Sequence, residues 1–371
     1  MNVEILQENL QKTLSVAFRF AGKKATLPIL NNILIKTGEN SISIEASNIE
    51  NQIRISTPAK VLAEGSAVIP IKTLSEYVKF LPAGKIQLSL KDFNLLVVSG
   101  DSKATINGLN PADFPELKEE VFEQKQELSV DSIRDIVQQV SFSSSKEEAR
   151  PVLSSVLIKI GGGKIEVVST DGYRLSRLFL ANPLKNKSSY TFLIRAKVVQ
   201  ELYTLLSDAG EKSLFMSVSD DERSIQFSFG KTTIISRIIE GEYPKYQKII
   251  PLTHEHSLDI DRQEFLEALK TASIFARQSA YLVKCNFEGA QLSLSATASS
   301  VGSQTSNLDV KANKEITMQI AFNVMYLLEF LSHVDSKTIT LGINGPLQPV
   351  TFSVPENEDF THVIMPVRTQ S

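Results

Sequence analysis

Two stretches of this chain repeat each other almost residue for residue. Pro28-Ile-Leu-Asn-Asn-Ile-Leu-Ile-Lys36 and Pro151-Val-Leu-Ser-Ser-Val-Leu-Ile-Lys159 lie 123 residues apart, and they differ only by Ile/Val and Asn/Ser exchanges. The same offset, with no gap, sets Ser47-Asn48 on Thr170-Asp171. A repeat of about 120 residues is long enough to bury a core of its own, unlike the short repeats of a solenoid, which need their neighbours. The 371 residues hold three such units.

The helical pattern recurs with the repeat. Each unit opens with a short strand and an amphipathic helix. Leu6, Leu10, Leu14 and Ala17 share a face in the first. Ile133, Ile136, Val137 and Val140 follow i, i+3, i+4, i+7 spacing in the second, and Phe265, Leu269 and Ala272 share a face in the third. Asp261 followed by Glu264 reads as a capping box. A second helix follows in each: Leu74, Tyr77, Val78, Leu81; then Val198, Leu202, Leu205, Leu206; then Tyr326, Leu327, Phe330, Leu331 behind an N-cap at Asn323. Alternating stretches such as Ile225/Phe227/Phe229 and Val350/Phe352/Val354 predict strands around each helix. Strand runs between isolated helices predict an α+β chain, with two helices per unit packed on antiparallel sheets. Pro-rich and charged joints at 111–127 and 241–254 divide it into domains 1–122, 123–253 and 254–371.

Composition narrows the function classes. No stretch approaches the roughly 20 apolar residues of a membrane helix, and the start Met1-Asn2-Val3-Glu4-Ile5 lacks the basic and apolar regions of a signal peptide. One cysteine, Cys285, forbids an internal disulfide and suits a reducing cytoplasm; it reads as a buried structural thiol. With four histidines it leaves little for a zinc site. A net charge of −3 argues against a surface that grips nucleic acid everywhere, and leaves room for one basic face.

Several motifs resemble the bacterial DNA polymerase III beta subunit family, the beta sliding clamps. Ser169-Thr-Asp-Gly-Tyr-Arg-Leu175 is similar to that family's Ala-Thr-Asp-Gly-His-Arg-Leu signature. Thr26-Leu-Pro-Ile-Leu30, Asp113-Phe-Pro115, Gly241-Glu-Tyr-Pro-Lys-Tyr246, Phe322-Asn-Val-Met-Tyr326 and Met365-Pro-Val-Arg-Thr369 fall in the family's order across the whole chain. Tyr173 departs from the usual histidine, and Gln370-Ser371 extend the usual ending. The resemblance implies three DNA-clamp domains forming half of a closed ring, a head-to-tail homodimer with six domains and twelve inner helices. It implies a processivity factor that encircles double-stranded DNA without reading sequence. Such a factor tethers the replicative polymerase, the clamp loader and other replication and repair proteins through short peptides.

Site residues carry over by position. Leu153, Thr170, Gly172, Tyr173, Arg174, Leu175, Pro244, Ile249, Asn323, Tyr326, Val363, Met365, Pro366, Val367 and Arg368 would form the partner-peptide pocket. In it Leu153, Leu175, Ile249 and Val363 would take apolar anchors, while Arg174 and the backbone near Met365 would orient the peptide. A soft apolar cleft with few polar groups suits a linear peptide, although Leu153, Ile249 and Val363 also read as core. Lys24, Lys72, Arg150, Arg195 and Lys197 would face DNA phosphates; ordinary solvated helix charges look the same. Ala104 and Ile106 of one subunit would meet Ile274 and Phe275 of the other.

No catalytic residue is expected. The chain has no Walker loop, dinucleotide fingerprint or metal-ligand spacing, so no metal and no cofactor are expected. Ser169-Thr-Asp-Gly lacks a nucleophile elbow and reads as a turn, as does Gly161-Gly-Gly163. A monomeric interaction scaffold and a hydrolase acting through Thr170-Asp171 remain the competing readings.

Overall fold

The computed structural model describes residues 1–22, 27–115, 125–181 and 189–368. The first repeat runs β1 (Asn2–Leu6), α1 (Gln7–Phe20), β2 (Asn32–Thr37), β3 (Ser41–Ser47), β4 (Asn51–Pro58), β5 (Lys60–Ala63), β6 (Ser66–Pro70), α2 (Ile71–Phe80), β7 (Lys85–Lys91), β8 (Asn94–Ser99) and β9 (Ser102–Ile106). The second runs β10 (Gln126–Ser129), α3 (Val130–Asp135), β11 (Ser155–Gly161), β12 (Lys164–Thr170), β13 (Arg174–Ala181), β14 (Tyr190–Arg195), α4 (Ala196–Ala209), β15 (Ser213–Val218), β16 (Ser224–Phe229) and β17 (Thr232–Arg237). The third runs β18 (His256–Asp261), α5 (Arg262–Ala276), β19 (Leu282–Glu288), β20 (Gln291–Ala298), β21 (Gly302–Ala312), β22 (Thr317–Asn323), α6 (Val324–His333), β23 (Thr338–Ile343), β24 (Val350–Val354) and β25 (Asn357–Ile364). The expected order of strand, helix, strands, helix, strands holds in all three.

The chain packs as two compact units. Residues 1–130 and 204–238 form the first. It holds a five-stranded sheet, β5-β1-β7-β8-β9, and an eight-stranded sheet, β10-β15-β16-β17-β4-β3-β2-β6. The eight-stranded sheet joins two repeats through the antiparallel pair β4–β17. Residues 131–203 and 239–371 form the second unit. Its twelve-stranded sheet, β14-β11-β12-β13-β25-β24-β23-β18-β21-β20-β19-β22, joins two repeats through β13–β25.

The apolar periods place the cores. Leu10, Leu14 and Ala17 of α1, Phe265, Leu269 and Ala272 of α5, and Leu327, Phe330 and Leu331 of α6 are buried. Leu6 departs from the expected helical face: α1 starts at Gln7, so Leu6 ends a strand and is 46% exposed. Asp261 accepts from the amides of Gln263 and Glu264, and Asn323 from that of Met325, so both predicted caps form. The helix expected over 133–140 is regular only to Asp135. Ile136–Val140 is a wider π turn, still burying Ile136 and Val140 but leaving Val137 half-buried. Ser141 Oγ donates to the Val137 carbonyl at 2.8 Å, and Ser169 Oγ to the Val140 carbonyl; these bonds hold carbonyls that the wider turn leaves open. Cys285 on β19 is buried, and burial pushes its thiol up to about 12.

Candidate functional site

The pair β13–β25 sets Leu175 opposite Val363 and Arg174 opposite Ile364. The turn before β13 builds itself from its own side chains. Thr170 Oγ1 donates to the Arg174 carbonyl at 2.6 Å and accepts the Gly172 amide at 3.0 Å. Asp171 Oδ1 accepts the amides of Tyr173 and Arg174 at 2.9 and 3.0 Å. Gly172 sits at φ 96°, where a side chain would be strained. The result turns Tyr173 outward, 61% exposed, and Arg174 inward, 4% exposed.

Arg174 is committed inside the protein. Its Nε donates to Asp171 Oδ2 at 3.0 Å, its Nη1 to Glu329 Oε2 at 2.8 Å, and its Nη2 to the Phe142 carbonyl at 2.9 Å. Its guanidinium lies 4.7 Å from the centre of the Tyr326 ring, which in turn stacks on Tyr173 at 6.5 Å and 21°. The expectation that Arg174 hydrogen-bonds a peptide therefore changes: it positions Tyr326 and Glu329. Burial alone would raise the Glu329 carboxyl, but Arg174 and Lys146 outweigh it and hold it below the usual range. Burial, then the Asp171 charge, pushes the Tyr326 phenol up.

Beneath the turn lies an apolar floor of Leu157, Val168, Leu175, Leu193, Tyr246, Ile250 and Val363. Leu175 and Val363 belong to this floor and have almost no exposed surface. Around it Leu153, Tyr326, Met365 and Pro366 are half-buried, while Pro244, Ile249, Val367 and Arg368 are exposed. Val152, next to Leu153, packs on the floor. The tail is tied down: the Met365 amide donates to the Tyr173 carbonyl and the Val367 amide to the Ala321 carbonyl, each at 2.8 Å. Those amides are thus occupied, another departure from the expected peptide contacts. Asn323 is spent on capping α6. Sequence reasoning missed Phe142, Asp171 and Glu329, which hold Arg174. Glu329 stood three residues after Tyr326 on one helix face, a spacing that signals shared position.

The pair β4–β17 repeats this frame in its backbone. Ile49, 123 residues before Gly172, also has positive φ, 78°. Its amide donates to Ser47 Oγ at 3.3 Å, the Asn51 amide to Asn48 Oδ1 at 2.8 Å, and the Arg237 amide to the Glu50 carbonyl at 2.8 Å. The chemistry differs. Gln52 stands for Leu175, and Glu45, 2% exposed and paired to Arg54 at 2.8 Å, stands for Val168. The first joint keeps a smaller apolar cluster of Leu34, Val68 and Phe114, with Ile29 packed against it, and the second joint a wider floor.

The other expected residues are scattered. Lys72 on α2 and Lys197 on α4 are exposed. Arg150 is ion-paired to Glu147 at 3.1 Å, and half-buried Arg195 donates to Ser154 Oγ at 2.7 Å. Lys24 lies outside the described residues. Ala104 is half-buried on β9, and Ile106, 7% exposed, already packs in its own subunit. At the end of α5 Ile274 is 60% exposed and Phe275 half-buried. Strand β9 ends its sheet, and β21 has no partner on one edge over Gly302–Asp309 among the described residues. Among the described residues no helix is long and apolar enough to cross a membrane, and no group of three or more His, Cys, Asp or Glu could hold a metal ion.

Known proteins share this arrangement. Beta sliding clamps from Chlamydia pneumoniae and Staphylococcus epidermidis are 29% and 28% identical to this chain, over 92% and 100% of both sequences. Crystal structures of the DNA polymerase sliding clamp from Bacillus subtilis and the DNA polymerase III subunit beta from Pseudomonas aeruginosa superpose with TM-scores of 0.94 and 0.93. Both are 23% identical and covered over their whole length. Family models match the three repeats in turn: the DNA polymerase III beta subunit N-terminal domain over residues 1–118, its central domain over 127–245 and its C-terminal domain over 247–368. With all three domains present, in order and nearly end to end, the chain belongs to the DNA polymerase III beta subunit family, the beta sliding clamps.

Proposed function

We propose that two copies of this chain close head to tail around duplex DNA in the cytoplasm and carry replication and repair proteins on it. The ring confers processivity on the replicative polymerase, and its partners dock short peptides at the second joint, over the Leu175–Val363 floor. It is not an enzyme. A hydrolase reading finds no support in the Thr170-Asp171 turn, because the Thr170 hydroxyl is buried and bonded on both sides and Asp171 is tied to Arg174. Duplex DNA would be held by phosphate contacts from exposed lysines such as Lys72 and Lys197, with Lys24, Arg150 and Arg195 adding to them.

The observation that carries the reading is the pair of open strand edges. At each joint within the chain, the fourth strand of one repeat pairs with the last strand of the next, β4 with β17 and β13 with β25. In that series β21 calls for the last strand of a first repeat, which is β9 of a second copy. The hairpins β8–β9 and β16–β17 turn identically, Ser99 facing Ser102 and Phe229 facing Thr232. Transferring the register Gln52↔Ile235 then sets Ser303 opposite Thr105 of the partner subunit, and Gln304 opposite the partner's Ala104. Ile274 and Phe275 would be covered in the same contact. Sedimentation should give a species near twice 41.0 kDa. Loaded protein should stay on circular DNA and leave when the circle is cut. A monomer, or retention on linear DNA without blocked ends, would overturn the proposal.

A further inference from the structure

The first joint holds an open cavity of about 210 Å³ between α1, α4, β4 and the β16–β17 turn. Its inner wall is apolar: Val16, Ile55, Leu205 and Phe229. Ser56, Thr57 and Thr232 line it with hydroxyls that have no hydrogen-bond partner among the described residues. Two ammonium groups stand at the mouth. Lys12 Nζ donates to the Asp208 carbonyl at 3.5 Å, and Lys231 has no ion-pair partner among the described residues. The Asp208 carboxylate, also on the wall, lies 3.8 Å from Arg19.

The second joint shows why this space is open. Across β13–β25 the counterpart of Thr232 is Phe360, since Ile55 faces Thr232 and Leu178 faces Phe360. Phe360 is buried and stacks with Phe330. The counterpart of Val16 is Gln139, which accepts from Asn357 at 3.1 Å. An aromatic ring and a hydrogen-bonded amide thus stand at one joint where a threonine and a valine line the cavity at the other.

We propose that this cavity is a ligand site for an apolar group bearing a carboxylate. The body would fill the Val16–Leu205–Phe229 wall, the hydroxyls would accept or donate to its polar atoms, and Lys231 and Lys12 would hold the anion by charge-assisted hydrogen bonds. A free small acid and the C-terminal residue of a partner chain share this chemistry.

The test uses the full-length protein and saturation-transfer NMR with N-acetyl-leucine, its amide, and an acid hexapeptide ending in leucine. Binding of the acid but not the amide is expected. It should weaken roughly tenfold in Lys231→Gln, about the worth of one charge-assisted contact, and vanish in Thr232→Phe, which supplies the ring of the second joint. Hexapeptide affinity above that of N-acetyl-leucine supports a partner's tail; equal affinity supports a free acid. No binding by either acid, equal binding of the amide, or full binding in Lys231→Gln overturns the site. Lys231 is exposed on a turn, so that variant stays informative if Thr232→Phe fails to fold.

Discussion

Arg174 Nη1 meets Glu329 Oε2 at 2.8 Å, joining residues 155 positions apart across the second joint. The guanidinium is buried and keeps Asp171, so removing the Glu329 carboxylate leaves a buried N–H without its acceptor. Glu329→Ala is expected to cost about 2 kcal/mol and to loosen Tyr326. Urea unfolding together with peptide titration checks this. An unchanged midpoint with unchanged peptide affinity would separate Arg174 from the site.

A second expectation concerns acid. His362 is fully buried, its Nδ1 2.8 Å from Ser176 Oγ and its Nε2 without a hydrogen-bond partner among the described residues. Burial, then the charges of Arg174 and His333, hold its imidazolium form well below the usual histidine value. The unfolded chain takes up this proton near pH 6.5 and the folded chain does not. Stability from this group is therefore complete above that pH and falls by about 1.4 kcal/mol per unit as the pH drops toward the folded value. His362→Gln should flatten that slope in melts between pH 7 and 5; an identical slope would assign it to other groups.

The C-terminal tail is held by the bonds from Met365 to Tyr173 and from Val367 to Ala321. Ending the chain at Ile364 removes both bonds while keeping Val363 in the floor. Binding of a polymerase tail peptide should fall more than tenfold, with the dimer intact. Calorimetry at full wild-type affinity would place the peptide elsewhere.

Ring closure has a register to test. Directly opposed residues of an antiparallel pair bring their Cβ atoms to about 5 Å, within reach of a disulfide. Ala104→Cys with Gln304→Cys should give a covalent dimer on oxidation, while Ala104→Cys with Ser306→Cys should not. Cys285 is buried and does not compete. Equal cross-linking of both pairs would reject the register.

The grip on DNA should be electrostatic. Lys72→Glu with Lys197→Glu is expected to shorten retention on circular DNA and to lower the salt slope by roughly 0.9 for each phosphate no longer neutralised, leaving the dimer mass unchanged. Retention that does not respond would remove both lysines from the interface.

Much of this was written locally in the sequence. The 123-residue offset exposed the repeat, and short-range periods placed the helices because burial selects faces at spacings of 2 and 3.6. The caps at Asp261 and Asn323 act over two or three residues and were equally legible. The role of Arg174 was not, because Glu329 and Phe142 reach it from 155 and 32 residues away. The π turn at 136–140 escaped for a related reason: the Ser169 hydroxyl that helps hold it belongs to another strand, 29 residues on. The burial of Ile106 within its own subunit was not legible either, because position along β9 does not show what packs over it.

The twin turns at Ile49 and Gly172 bear on how such a protein could be re-engineered. A branched isoleucine holds at the first the same left-handed backbone that glycine adopts at the second, so the frame is fixed by the Asn48 and Ser47 bonds more than by the residue at its apex. One scaffold therefore carries two vocabularies of side chains. The peptide receptor proposed for the second joint could be transplanted to the first by exchanging residues such as Glu45 and Gln52, giving a ring with twice as many docking points.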